Sequence, residues 1–168
     1  GVEAQANVIL SERSASPSLI YQYIIGAAYL AIGLFVFLRR GTAAKAYHFY
    51  VLCLASFILS TFHYTGKLNN FDKVVYWGNV VAGLFVPAIF LHFTLAFPEP
   101  RRWMRGARTA VVYLPAALLL TLYVGFSSGA VRIGMSLLEV RWLLDRLWLP
   151  LLAVTYLAGA AVLAVEHR

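Results

Sequence analysis

The side chains able to do chemistry in this chain are few, and they are scattered through apolar sequence. Four histidines are present, His48, His63, His92 and His167. A haem or metal held within a helical bundle needs two or more ligands at matched depth. His48 and His92 fall at broadly similar depth in their segments, whereas His63 lies toward the opposite side. The plain reading makes His48 an interfacial residue and His92 a hydrogen-bonded packing residue, so no cofactor and no metal site is expected. Cys53 is the lone cysteine, which excludes an intrachain disulfide and a CxxC pattern. In an apolar run it behaves as a small buried hydrophobe. No HExxH, Ser/His/Asp constellation, P-loop or dinucleotide fingerprint occurs. No catalytic residue is therefore assigned. A transporter would be expected to carry charged groups inside its first four apolar runs, or two matched halves with broken helices, and neither is present.

Two sets of polar positions do have helical spacing. Cys53, Ser56, Ser60 and His63 recur at intervals that place them on one helix face, and so do Tyr76, Asn79, Gly83 and Pro87. Counted from the ends of their segments, Ser60 comes level with Asn79, and His63 with Tyr76. The expectation is that these groups meet between two neighbouring helices. Ser60, His63, Tyr76 and Asn79, with His92 as a further member, are the candidate lining of a small ligand pocket. The plainer alternative is interhelical glue worth about 1 kcal/mol or less per bond.

The elements that must position these residues are apolar helices. The chain is 61% hydrophobic and only 12% charged, with a mean hydropathy of +0.75. Soluble domains carry about 25% charged residues. The expected fold class is all-α: a polytopic membrane helix bundle of five transmembrane helices. Spans are expected at about 19–38, 46–65, 74–97, 109–126 and 148–165, since roughly 20 apolar residues cross a bilayer core of about 30 Å. Residues 1–18 form a polar N-terminal segment with no cleavable signal peptide, and Ser16 with Pro17 reads as a helix start. The first residue is Gly rather than Met, so a fragment or a removed start is expected. Ser136 and Glu139 form a capping-box pattern. It opens one long helix over 136–165, whose amphipathic first part, 136–147, is expected at the membrane interface or capping the bundle. Its apolar arc holds Leu137, Val140, Leu143, Leu144, Leu147 and Trp148, with Glu139, Arg141, Asp145 and Arg146 opposite.

The formal net charge of +7 is distributed as positive-inside topology requires. Arg39, Arg40 and Lys45 follow the first span, and Arg101, Arg102, Arg105 and Arg108 follow the third. The N-terminus is expected outside and the C-terminus inside. The basic residues lie between apolar runs rather than on a water-soluble patch, so no nucleic-acid partner is expected.

The segment FLHFTLAFPEPRR, residues 90–102, carries His92, Phe93, Leu95, Phe97, Pro98 and Glu99. With the preceding YWGNVVAGLFVPA and the earlier RRGTAAKAYHFYVLCLASF, residues 39–57, it resembles the N-terminal multi-span membrane region of bacterial sensor histidine kinases. The resemblance covers residues 19–110 best. It implies a non-catalytic sensor domain in the bacterial inner membrane, with the lipid bilayer and a cytoplasmic kinase region of the same polypeptide as its partners. A homodimer is expected only through that kinase region. The phosphoacceptor and ATP-binding regions are absent from these 168 residues, and His167, at a membrane exit, is not the phosphoacceptor. Two other classes fit the composition: an accessory scaffold or pigment-binding subunit of a larger membrane complex, and a haem-bearing electron-transfer subunit.

Overall fold

The computed structural model describes residues 17–43, 45–65, 69–96 and 106–166. The expected N-terminal segment up to Ser16, the stop at Pro98, Arg101, Arg102, Arg105 and the C-terminal His167 lie outside the described residues.

The described residues form helices and no strand. The helices are α1 (Pro17–Arg40), α2 (Ala46–Thr61), α3 (Asn70–Ala96), α4 (Leu114–Ser127) and α5 (Leu137–Glu166). A 3₁₀ segment, Gly106–Tyr113, leads into α4. Four stretches, Pro17–Arg40, Asn70–Ala96, Thr109–Ser127 and Leu137–Val165, are long and apolar enough to cross a membrane. These helices fit a multi-pass membrane protein. Large apolar side chains point away from the protein along α1 and α5: Phe35, Leu38, Val154 and Leu157 are all more than 60% exposed. In water each would forgo roughly 1.5–3 kcal/mol of burial, but against acyl chains it loses nothing.

The helix α2 differs from the expected span, having 16 residues where about twenty were expected. At 1.5 Å per residue it is about 24 Å long. Phe62 leaves it in an extended conformation, with φ −81° and ψ 101°. The four residues beyond Thr61 continue outward as non-helical chain, held by Thr65, whose backbone N–H and hydroxyl both donate to Asp72 Oδ1 at 2.7 and 2.9 Å.

The amphipathic stretch and the last span form one helix, α5, continuous through Pro150, as the long helix expected over 136–165 requires. The capping box does form: the Ser136 N–H donates to Glu139 Oε2 at 2.8 Å, and the Glu139 N–H donates back to Ser136 Oγ at 3.3 Å. Of the expected apolar arc, Val140 and Leu144 are buried, whereas Leu137, Leu143 and Leu147 are exposed. The reason is that the apolar stripe Val140, Leu144, Trp148, Leu151 packs against the core shared with α3 and α4, and the remaining leucines lie outside it.

At the centre is α3, which touches α2, α4 and α5. Leu84 and Ala88 of α3, Ala116, Leu119 and Tyr123 of α4, and Val140 and Leu144 of α5 make one buried cluster. On the other side of α2, α1 closes onto Cys53 and Thr61 through Gly33 and Gly26. A Cβ at either glycine would come within 2.6 Å of those side chains. The resulting order across the bundle is α1, α2, α3, then α4 with α5. α3 and α5 run in the same direction, with Arg141 over the Tyr76 ring and Trp148 bonded to Gly83.

Candidate functional site

The polar groups that come together do so at the end of the bundle that carries the chain between α2 and α3. Asn79 lies on α3 two turns from its start. Its Nδ2 donates to the Phe62 carbonyl, at the frayed end of α2, at 2.9 Å. This satisfies a carbonyl that the end of α2 leaves without an intrahelical partner. Its Oδ1 is buried and has no hydrogen-bond partner. One turn before it, Tyr76 lies under the guanidinium of Arg141, 4.5 Å from ring centroid to Cζ. Four residues on from Arg141 along α5, Asp145 accepts a hydrogen bond from Tyr123 of α4 at 2.5 Å. Its other oxygen lies 3.9 Å from Arg141 Nε. Trp148 donates its indole N–H to the Gly83 carbonyl at 3.0 Å. Pro87, four residues further along α3, has no N–H to give this carbonyl, so the bond from α5 supplies the partner that α3 itself cannot, and it ties the two helices together.

These side chains line an open-sided cavity of about 230 Å³, with Leu59, Val80 and Leu84 completing its apolar walls. Arg141 and Asp145 stand at its mouth, with side chains 48% and 54% exposed. From Tyr76 to Leu84 the cavity follows α3 for about 12 Å. The aromatic rings of Tyr64, Tyr76, Tyr123 and Trp148 contribute to its lining.

Of the residues expected to meet between the two helices, Tyr76 and Asn79 line this cavity, whereas Ser60 and His63 are not among its lining residues. The face that holds Cys53, Ser60 and His63 is real, yet it looks at α1. Ser60 Oγ donates back to the Ser56 carbonyl at 2.9 Å, and its Cβ lies 3.1 Å from where a Gly26 Cβ would stand. His63 meets the Tyr23 ring edge to face at 5.4 Å. Its Nε2 lies 2.7 Å from Gln22 Oε1 and its Nδ1 3.1 Å from the Thr61 carbonyl. The expected juxtapositions of Ser60 with Asn79 and of His63 with Tyr76 are thus replaced by packing on α1. The physical reason is the pair of glycines one heptad apart on α1, which lets two backbones approach closely.

His92 is at the opposite end of α3, 9% exposed. Its Nδ1 is hydrogen-bonded to the Tyr113 hydroxyl at 2.7 Å, and His48 of α2 meets it edge to face with ring centroids 4.7 Å apart. The two histidines thus do share a depth. Their edge-to-face contact leaves no space between the rings for a haem plane, and among the described residues no group of three or more His, Cys, Asp or Glu is arranged to hold a metal ion.

Arg141, Asp145, Tyr123 and Trp148 were not among the residues expected at a site. A signal for them existed. Arg141, Asp145 and Trp148 follow one another at helical spacing, directly beside the apolar stripe through Val140 and Leu144. Charges placed there, and not on the far side of the helix, can reach a neighbouring helix. Chemically the cavity offers one free buried acceptor, a balanced cation and carboxylate at the mouth, and aromatic walls. It holds no activated nucleophile and no acid–base pair aimed at a common point. Comparison with family models, with curated proteins and with solved structures gave no match for this chain.

Proposed function

We propose that the chain is the non-catalytic membrane input domain of a two-component signalling histidine kinase. It sits in a bacterial inner membrane with its N-terminus outside and passes a stimulus to a cytoplasmic kinase region. The observation that carries the sensory part is the cavity with its unpartnered Asn79 Oδ1, walled by four helices, α2 to α5. A ligand held there touches α3, α4 and α5 at once. It can therefore favour one arrangement of them by its differential affinity for the two. α5 is the natural relay. It carries Arg141, Asp145 and Trp148 near one end and runs 30 residues, about 45 Å, to the other. The kinase part rests on the resemblance at residues 39–57 and 90–102. The orientation rests on Arg39, Arg40 and Lys45 gathering at one end of the bundle, with the cavity at the other, hence facing outward.

The test is the reading frame beyond Arg168 together with the activity of its product. A pair of dimerisation helices followed by an ATP-binding domain, with histidine phosphorylation from ATP in membranes that hold the full product, is the expected result. A frame that closes shortly after Arg168 overturns the kinase reading and favours an accessory subunit.

A further inference from the structure

The cavity at Asn79 constrains what can occupy it. Asn79 Nδ2 is committed to the Phe62 carbonyl, so turning the amide over would set oxygen against oxygen; Oδ1 is therefore the acceptor, buried on a residue that lines the cavity, and a guest reaches it by parting the side chains over it. No protein donor is bonded to it. The Trp148 N–H is used by Gly83, and the Tyr123 hydroxyl by Asp145. The Arg141 guanidinium lies over Tyr76, with its Nε turned toward Asp145. A buried acceptor without a donor costs about 1–3 kcal/mol. The charges at the mouth balance, one guanidinium against one carboxylate. An ionic guest would have to displace one of them, and a neutral guest displaces neither. The other walls, Leu59, Val80, Leu84 and the aromatic rings, are surfaces for an apolar body. The volume, about 230 Å³, is below the usual range of about 300–1,000 Å³ for sites that take drug-sized ligands.

We infer that this cavity binds a small uncharged molecule with a flat apolar body and one N–H or O–H donor, the donor seated on Asn79 Oδ1. The inference rests on the sensory reading of the same cavity and names the chemical class of its ligand. Entry is past Arg141 and Asp145, the exposed pair at the mouth.

The test uses two probes of the same shape, indole and benzofuran, which differ by the N–H. Calorimetric titration is carried out on the whole chain in lipid nanodiscs, where simple partition into lipid is non-saturable and so separable. The expected result is saturable indole binding, roughly three- to tenfold tighter than benzofuran, the size of one net hydrogen bond. In Asn79→Leu the preference for indole falls to about one. In Leu84→Trp, which fills the cavity from its apolar wall, saturable binding of both is lost. Equal affinities in the unmodified protein, or a preference that survives Asn79→Leu, would overturn the proposal. So would no saturable binding of either probe, the result for a cavity that holds only water. The comparison of the two probes on the unmodified protein stands even if a variant fails to fold. Absence of binding removes this inference and leaves the kinase reading to be decided by the reading frame, whereas binding without a downstream kinase removes only the latter.

Discussion

Asn79 reaches from α3 to the end of α2, where its Nδ2 donates to the Phe62 carbonyl at 2.9 Å, and the same amide leaves Oδ1 buried without a donor. The two halves of one side chain thus pull in opposite directions. An interhelical hydrogen bond in a membrane protein contributes about 0.6 kcal/mol on average, whereas an orphaned buried acceptor costs about 1–3 kcal/mol. Asn79→Leu removes both, and it leaves the Phe62 carbonyl without its donor, which offsets the gain. The expected outcome is a stability within about 1 kcal/mol of the parent, measured by denaturant titration in mixed micelles. A loss of more than about 1.5 kcal/mol would make Asn79 structural glue.

The contact of α1 with the rest of the bundle depends on two glycines. A Cβ on Gly33 would stand 2.6 Å from Cys53 Cβ, and one on Gly26 2.6 Å from Thr61 Cγ2. Cys53 Cβ is tied to the α2 backbone and cannot move aside alone. Gly33→Ala is expected to cost about 1–3 kcal/mol, in the range of overpacked cores, and to loosen α1 first, because α1 packs chiefly on α2. Gly134→Ala, with nothing within 4 Å of the added carbon, is the control and should fall within about 0.5 kcal/mol of the parent. Thermal unfolding of the two variants side by side decides it.

Helix number and order were legible in the sequence because roughly 20-residue apolar runs leave little choice, and the breaks between them hold glycine, proline and charge. The capping box at Ser136 and Glu139 was legible for the same local reason: its partners are three residues apart. What was not legible is which helix each polar face meets. The face of Cys53, Ser60 and His63 is set by the helical period alone. Its partner is set by Gly26 and Gly33 on another helix, and depth matching between α2 and α3 could not weigh that. Asn79 was found, but its partner is a backbone carbonyl, that of Phe62, exposed by the early end of α2, and no side-chain pattern marks such a group. Arg141 and Asp145 were assigned to the polar half of an interfacial helix. They sit within reach of Tyr76 and Tyr123 only because α5 stands upright beside α3.

The proposed orientation makes a direct prediction. Thr42, between α1 and α2, and Ser128, between α4 and α5, are both exposed and lie at opposite ends of the bundle. In a background with Cys53→Ala, a cysteine in place of Ser128 should react with a membrane-impermeant maleimide in intact cells. A cysteine in place of Thr42 should react only after permeabilisation. The reverse pattern would place the cavity on the cytoplasmic side, and labelling of both in intact cells would refute the bundle as a spanning unit.

His92 and Tyr113 link the far end of α3 to the 3₁₀ segment that leads into α4, through a 2.7 Å bond between ring nitrogen and hydroxyl. The bond is sheltered: His92 is 9% exposed, with the His48 ring against it at 4.7 Å. Tyr113→Phe keeps the ring contact with Phe85 but leaves His92 Nδ1 without this partner. His92→Phe removes the nitrogen and keeps the volume. Each single change is expected to cost about 1 kcal/mol. The double variant should cost less than the sum, with a coupling energy between about 0.6 and 1.7 kcal/mol, the average and the largest value for interhelical hydrogen bonds in a membrane protein. A coupling near zero would mean that the hydroxyl and the imidazole find other partners in the bilayer, and that the start of α4 is held by apolar packing alone. A coupling in the expected range assigns His92 a structural role at this end of the bundle, separate from the cavity at Asn79. Ligand affinity at that cavity should then be the same in Tyr113→Phe as in the parent.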